Sequence, residues 1–525
     1  MNSFNYAELL IRLLPHAILI VGALIALFAD QLRPRTWNDW NRSTTAVLIG
    51  LVSIIAAILV INRQTEFGSF YNGMLQVTQI VRFVQVSLLI LTAATLITST
   101  PEKFTNHIGE YVALILMAAV GLLLLAGTHE LLTAFIALEL VSLSLYLLTA
   151  FRKDSIYSAE AGLKYFLFGS VAAAFTLFGI SLVFGLAGST EFGKIGAALE
   201  QQQLSPMLTV ALVLMAVGFG FKMAAAPLHL WAPDAYQGAP APSAALIASA
   251  SKLASFLLFL KFFFLAAPTH AGSAAWNGAI SGWAVLIAAL AATSIIVGNI
   301  LALAQTNIRR IIAYSAIAHG GYVLIALLAP TRDGVASSLY YLFTYGLAVV
   351  GIFGVIGLIE ERHGELSFSD LRGLSRRSPL AAISLLVFVL SLAGIPPLAG
   401  FFGKFYVFLA ALDASRVGNV PGLLWLVILA IAGSAVSLYY YLLILKHAFV
   451  VGPAEGAAFP PISAAPVQKL TLALLAAAVI LLGIFPNVVL HRLGIQSPAP
   501  EQHHDQAHPH QESSLKSPHL FGNLG

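Results

Sequence analysis

The fold of this chain is decided by the stretch GFGFKMAAAPLHLW, from Gly218 to Trp231. It lies between long apolar runs, yet it contains the cation Lys222, the helix-breaking Pro227 and the ionisable His229. A proline removes one backbone hydrogen bond from a helix, and in lipid the freed carbonyl must find another partner. Because an ammonium group has three donors, Lys222, one residue before Met223, could satisfy a carbonyl freed by Pro227.

The composition around this stretch is that of a membrane protein. Of the 525 residues, 59% are hydrophobic and 10% are charged, and the mean hydropathy is +0.88. A soluble domain contains about 25% charged residues. There is no cysteine, no dinucleotide-binding glycine motif and no phosphate-binding loop motif. We therefore expect no disulfide, no thiolate-bound iron–sulfur cluster, no metal and no cofactor in this chain, and no binding of nucleic acid.

Apolar stretches recur from one end of the chain to the other, each long enough to span a bilayer. The sequence predicts an all-α polytopic membrane protein with about fourteen transmembrane helices. The predicted spans are 13–29, 44–62, 76–98, 111–126, 129–151, 158–187, 206–232, 241–266, 276–303, 308–329, 335–359, 379–412, 422–447 and 468–487. The first is expected to be a retained helix and not a signal peptide, because the segment before it is acidic as well as basic.

The loop charges predict the orientation of these helices. Loops on one face contain about 14 lysines and arginines, and loops on the other face contain about 8. The richer face is expected to be cytoplasmic, so both termini are expected on the outer side.

Some charges lie inside the apolar runs, where each costs roughly 2.5–3.5 kcal/mol if it faces lipid. They are Glu139, Lys164, Lys222, Lys252, Lys261 and Lys404. Lys261 lies near the end of its helix and is expected to snorkel to the headgroups, as Lys164 also could. Lys252 and Glu139 lie near mid-helix, which favours a function, although Glu139 could instead be a protonated structural carboxyl.

A second interrupted helix occurs in LVFVLSLAGIPPLAGFFGKFYVF, where Pro396 and Pro397 precede Lys404. Paired broken helices indicate inverted repeats around a midplane ion pathway. The predicted organisation is an N-terminal three-helix segment (1–110), two five-helix repeats (111–266 and 276–447), a C-terminal helix (468–487) and a polar tail (488–525). The tail has histidines that could bind a metal, His503, His504, His508 and His510, but its composition favours disorder.

Four stretches resemble one known family. They are AEAGLKYFLFGS (159–170), HLWAPDAYQGAPAPSAALIASASKLASF (229–256), NIRRIIAYSAIAHGGY (307–322) and SLAGIPPLAGFFGKFYVF (391–408). They are similar to signatures of the antiporter-like subunits of respiratory complex I, the proton-pumping NADH:quinone oxidoreductase. PDAYQGAP, SASK and GLKYFLFGS are most similar to the branch called subunit N, or subunit 2. Lys404 agrees with this branch, because subunit M is expected to have a glutamate there.

The resemblance implies a proton-translocating subunit of complex I, driven by quinone reduction in neighbouring subunits. It implies that protons move along Glu139, Lys222, Lys252 and Lys404, with Lys164, His229 and His319 as accessory members of the path. NADH, FMN, iron–sulfur clusters and quinone are expected on partner subunits of the membrane and peripheral arms. The lipid bilayer is the remaining partner, and the expected location is a bacterial inner membrane.

Changing a single ion pair could supply a useful share of the energy needed to move a proton across the membrane. At a separation of about 6 Å and an effective dielectric constant of about 20, two charges attract by about 2.8 kcal/mol. Moving a charge through 100 mV takes about 2.3 kcal/mol.

Two alternatives share the fold: a subunit of a cation/proton antiporter and a membrane-arm subunit of a hydrogenase. A non-transporting scaffold would instead leave ion movement unchanged when the buried lysines are neutralised.

Overall fold

Helices form most of the described part of the chain. The computed structural model describes residues 6–32, 39–64, 67–71, 73–100, 105–363, 366–414, 416–417, 420–452, 461–462 and 464–493. The histidines of the tail lie outside these residues.

The helices follow one another with short connections. The α-helices are α1 (Tyr6–Gln31), α2 (Asp39–Arg63), α3 (Gln79–Ser99), α4 (Ile108–Gly127), α5 (Leu131–Thr149), α6 (Ile156–Ala187), α7 (Phe192–Glu200), α8 (Pro206–Met223), α9 (Ala232–Gly238), α10 (Ala241–Ala248), α11 (Ala250–Lys261), α12 (Trp283–Leu303), α13 (Ile308–Ala326), α14 (Arg332–His363), α15 (Leu374–Arg377), α16 (Pro379–Ala393), α17 (Ala399–Ala414), α18 (Leu424–Phe449), α19 (Pro466–Ile484) and α20 (Asn487–Leu490). A π-helical turn covers Phe262–Ala266, and 3₁₀ turns cover Pro268–His270 and His491–Leu493.

Strands are confined to two short antiparallel hairpins. The first pairs β1 (Gly68–Phe70) with β2 (Leu75–Val77), and Gly68 lies opposite Val77. The second pairs β3 (Arg416–Val417) with β4 (Val420–Pro421). Both hairpins connect the ends of long helices.

The predicted polytopic all-α fold is confirmed. Within the described residues, 12 helices are long and apolar enough to cross a membrane. Two further predicted spans are also helical: α13, which is more polar, and the interrupted pair α16 and α17. The predicted span 206–232 is interrupted as well, because α8 ends at Met223 and α9 begins at Ala232.

Two spans form the centre of the bundle. In Ala241–Ala266 the most apolar window is 100% buried, and in Arg332–Glu360 it is 94% buried, whereas Ile156–Ala187 is only 33% buried and faces outward. The central spans are rich in alanine, serine and glycine, which allow helices to approach closely. The same closeness occurs at Gly298 in α12, where an added Cβ would meet the backbone nitrogen of Ala318 at 2.5 Å.

The prediction that Lys261 snorkels to the headgroups is wrong. Its side chain is fully buried, and its Nζ donates to the carbonyls of Ala126 at 2.6 Å and Thr128 at 3.2 Å. These carbonyls lie at the end of α4, where a helix has no partners of its own for them. Because the span that contains Lys261 is buried on all sides, its side chain reaches a helix end and not the lipid headgroups.

An arginine at the start of α13 joins the two halves of the molecule. Arg309 is 2% exposed and donates to the carbonyls of Tyr236 (3.1 Å), Gln237 (3.2 Å) and Ala239 (2.5 Å) at the end of α9. It also forms an ion pair with Glu360 of α14. The interrupted helix of the first half is thus fixed to two helices of the second half.

We expect Arg309→Gln to lower the midpoint of thermal unfolding of the detergent-purified protein. Removing one partner of a buried ion pair costs about 3–5 kcal/mol, since the other charge stays buried. Lys153→Gln is the matched control, because Lys153 is an exposed cation in the loop before α6. An unchanged midpoint for Arg309→Gln would show that the pair with Glu360 does not hold the two halves together.

Candidate functional site

Three lysines from three helices are buried inside the bundle. Lys222 of α8 is 8% exposed, Lys252 of α11 is 2% exposed and Lys404 of α17 is 5% exposed. Glu139 of α5 is half-buried. All three ammonium groups face protein and not lipid, which removes the cost that a charge has in a hydrocarbon environment.

Lys222 contacts a serine that lies one helical turn beyond Glu139. Its Nζ donates to Oγ of Ser142 at 2.5 Å, and that hydroxyl donates to the carbonyl of Leu138. The charges of Lys222 and Glu139 act on each other through space. Among the described residues no direct ion pair joins the two. The ammonium of Lys222 therefore binds the hydroxyl of Ser142 and not the carboxylate of Glu139.

The hydrogen bond of Lys222 goes to α5, and two carbonyls at the first break bind other donors. The indole of Trp231 donates to the carbonyl of Phe221 at 3.1 Å. The hydroxyl of Thr293 in α12 donates to the carbonyl of Ala226 at 2.8 Å. Because other donors satisfy these carbonyls, the ammonium of Lys222 is available to groups on α5.

At the second break a lysine does satisfy the freed carbonyls. Helix α16 ends at Ala393, and Gly394 follows in the left-handed conformation with φ 86°. Nζ of Lys404 donates to the carbonyls of Leu392 at 2.9 Å and Ala393 at 3.2 Å, and to Oγ of Ser434 at 2.8 Å. All three donors of this ammonium are used, which fixes it at the helix end.

Lys252 and His319 meet on one face of α13. Nζ of Lys252 donates to the carbonyl of Ala316 at 2.5 Å, and His319 lies one turn further along the helix. The two nitrogens of His319 contact two tyrosine hydroxyls: Nδ1 lies 2.5 Å from Oη of Tyr341, and Nε2 lies 3.1 Å from Oη of Tyr441. Each ring nitrogen can therefore exchange a proton with a hydroxyl group.

His319 lies between the second and third buried lysines. The charges of both Lys252 and Lys404 act on its ring. Tyr322, one turn beyond His319, places its ring 5.2 Å from Nζ of Lys404. One face of α13 thus connects α11 with α17 through a continuous series of ionisable and hydroxyl groups.

Two further buried polar atoms near this series, Nδ1 of His229 and Oη of Tyr345, form no hydrogen bond with another described residue. His229 is 7% exposed, and its Nδ1 is buried without a hydrogen bond. Oη of Tyr345 is buried in the same way, and the ring of Tyr345 lies 5.9 Å from Nζ of Lys252. Buried polar atoms of this kind normally bind ordered water. His229 lies 6.4 Å, ring to ring, from Tyr314 of α13.

Lys164 lies apart from the other predicted site residues, in an ionic cluster at the helix ends. Its side chain is 39% exposed, and Nζ lies 2.6 Å from Glu160 and 2.8 Å from Asp234. Arg310 also contacts Asp234, at 2.7 Å. Burial acts to raise the pKa of Asp234, but hydrogen bonds from Lys164 and Arg310 hold it below its usual value. This cluster is a set of fixed ion pairs.

Sequence reasoning missed several polar members of the site. Ser142, Tyr341 and Tyr441 belong to apolar helices and carry no charge, so no energetic cost singles them out. The spacing of Ser142, one turn after Glu139, is the only local signal among them.

Within the described ranges, no three His, Asp or Glu side chains are grouped closely enough to hold a metal ion.

The chain was compared with families, sequences and solved structures. Residues 128–433 match the family described as NADH:quinone oxidoreductase/Mrp antiporter, TM. NADH-quinone oxidoreductase subunit N 2 of Acidobacterium capsulatum is 47% identical over 502 residues, which cover 94% of this chain and 100% of that protein.

Two solved structures have the same fold. A chain of respiratory complex I from Thermus thermophilus with bound aureothin aligns with a TM-score of 0.73 at 32% identity, over 91% of this chain and 99% of that chain. A chain of the Mrp complex from Dietzia sp. aligns with a TM-score of 0.76 at 18% identity, over 93% and 97% of the two chains, which shows a shared fold alone. The chain belongs to the NADH:quinone oxidoreductase/Mrp antiporter membrane family, within its NADH-quinone oxidoreductase subunit N branch.

Proposed function

We propose that this chain is the proton-translocating membrane subunit of a NADH:quinone oxidoreductase. The observation that carries the proposal is the series Lys252, His319 and Lys404, whose members are buried, adjacent and bound to neutral oxygen atoms. A neutral partner accepts a hydrogen bond from an ammonium but does not fix its charge as a carboxylate would. The protonation of these groups can therefore change during turnover.

Lys222 and Glu139 form the variable part of the site. The ammonium rests on Ser142, one turn from the carboxylate, so a small side-chain movement brings it closer to Glu139 or takes it away. Two unit charges about 6 Å apart at an effective dielectric constant of about 20 attract by about 2.8 kcal/mol, so separating such a pair lowers the proton affinity of the amine. The energy is comparable with the cost of moving one charge through about 100 mV.

A proton released by Lys222 passes along His229, Lys252 and bound water to His319. There, the imidazole receives a proton at one nitrogen and releases one from the other, with Tyr341 and Tyr441 as the adjacent hydroxyl donors and acceptors. Lys404 is the last proton-binding group of the path. The two broken helices expose backbone groups that water can reach. Lys164 remains a predicted accessory residue, although its ionic cluster lies away from this series.

The energy for this movement comes from neighbouring subunits. The chain has no cysteine and no nucleotide-binding motif, so NADH, FMN, the iron–sulfur clusters and quinone belong to partners in the membrane and peripheral arms. Quinone reduction there changes the charges around Lys222 and Glu139, which makes the whole assembly a translocase. We place the chain in a bacterial inner membrane. The distribution of lysine and arginine among the loops favours an orientation with both termini on the periplasmic side.

A cation/proton antiporter subunit is the alternative, supported by the shared fold of the Mrp complex. Purification of the native complex distinguishes the two. Iron–sulfur and quinone-site subunits should co-purify, and proton uptake into vesicles should depend on NADH oxidation. Sodium-driven proton movement without quinone reduction would support the antiporter instead.

We expect Lys222→Ala to reduce NADH-driven proton pumping by about 100-fold, the usual scale for losing a positioned acid–base group. Glu139→Gln should reduce pumping by about tenfold, because it removes the charge that tunes Lys222. Proton uptake into vesicles and coupled quinone reduction are measured on verified, assembled complexes. Lys194→Ala is the control, because Lys194 is an exposed residue of the short helix α7. Full pumping by an assembled Glu139→Ala, Lys222→Ala double variant would contradict the proposal.

The tyrosines beside His319 provide a second test. We expect Tyr441→Phe to slow pumping by about tenfold, since the ring stays but the hydroxyl contact with Nε2 is lost. Tyr439→Phe is a matched control in the same helix, because Tyr439 is 65% exposed on the outer surface of the bundle. Equal pumping rates in the two variants would remove Tyr441 from the path.

A further inference from the structure

A cavity lies at one end of the bundle, away from the buried lysines. It has a volume of about 470 Å³ and is formed where α2 ends, where α3 begins and where the chain leaves α20. Its wall combines two arginines, two amides and aromatic rings. These residues are Arg82, Arg492, Asn62, Gln79, Phe67 and Phe83. No residue of the proposed proton path lines it.

The charges on the described residues that line this cavity are of one sign. Two guanidinium groups line it, and none of these residues is a carboxylate. The guanidinium of Arg82 lies 4.7 Å above the ring of Phe67 and donates to the carbonyl of Gln64. Its Nε is buried without a hydrogen bond in the described part of the chain. Arg492 is exposed and forms no ion pair with another described residue. Both arginines can therefore bind an anion.

We propose that this cavity binds the phosphate headgroup of an anionic phospholipid. Two forked guanidinium groups match the geometry of a phosphate, and a pair of cations with no carboxylate among the described lining residues favours a negative ligand. The amides of Asn62 and Gln79 can bond hydroxyl groups of a phosphoglycerol. The volume lies within the range of about 300–1,000 Å³ that is usual for small-ligand sites.

Position decides between a lipid and a free phosphate ion. The cavity lies at the level where α2 ends at Arg63 and α3 begins at Gln79, which is the headgroup level of two transmembrane spans. Its apolar wall, Phe67 and Phe83 with Val86 further into the membrane span, continues from the arginines along α3. A free phosphate has no use for that wall, whereas the glycerol and acyl region of a lipid does.

The test uses the assembled complex, purified in a mild detergent and depleted of lipid. Phosphatidylglycerol, phosphatidylcholine and inorganic phosphate are added separately to the wild type and to Arg82→Gln, Arg82→Lys, Arg492→Gln and Arg63→Gln variants. Retained lipid is counted by native mass spectrometry, and binding is followed by the shift in thermal unfolding. Arg63 is the matched control: it is exposed, ends α2 and does not line the cavity.

We expect the wild type and Arg63→Gln to retain phosphatidylglycerol in preference to phosphatidylcholine. Arg82→Gln and Arg492→Gln should each weaken its binding by about tenfold, which corresponds to about 1.4 kcal/mol. Arg82→Lys should lose less, since it keeps the charge but not the fork. Equal retention by all variants would overturn the proposal. A shift with inorganic phosphate as large as that with the lipid would overturn the choice of a lipid ligand.

Discussion

An ammonium group inside a membrane protein needs oxygen acceptors, and the kind of oxygen determines what the group can do. The buried lysines of this chain contact neutral acceptors: a serine hydroxyl at Lys222, one carbonyl at Lys252, and carbonyls at Lys261 and Lys404. At the helix ends, by contrast, Arg309 and Lys164 contact carboxylates. A carboxylate contact fixes the charge of its partner, whereas a neutral contact leaves it able to change. The proposed proton path uses the neutral contacts of Lys222, Lys252 and Lys404, whereas Arg309 and Lys164 lie in fixed ion pairs.

The two broken helices use this constraint differently. At the first break, Trp231 and Thr293 supply the donors that the backbone needs, so Lys222 is left to reach α5. At the second break Lys404 supplies them itself and is fixed by three acceptors. The first lysine can therefore respond to Glu139, while the last has a set position. Under the proposed function, the two broken helices thus supply one movable lysine and one fixed lysine to the same series.

Helix α13 contacts helices from both halves of the chain. It begins with Arg309, which holds α9 and α14, and its middle presents Ala316, His319 and Tyr322 to the lysines of α11 and α17. The same helix thus binds α9 and α14 at its first turn and contributes His319 to the candidate functional site at its centre. This explains why α13 is more polar than the other spans and yet almost fully buried.

The sequence by itself determined the number and place of the membrane spans, the two interruptions and the charges that must lie inside. Hydrophobic length, proline and the cost of a charge in lipid are properties of short segments, so they can be evaluated without the fold. The partner of each charge was decided only by the tertiary structure. Lys261 reaches carbonyls 133–135 residues away, Lys222 contacts a serine 80 residues away, and His319 contacts a tyrosine 122 residues away. Such contacts depend on which helix faces pack together, and that is why the burial of Lys261, the separate cluster of Lys164 and the two tyrosines were not predicted.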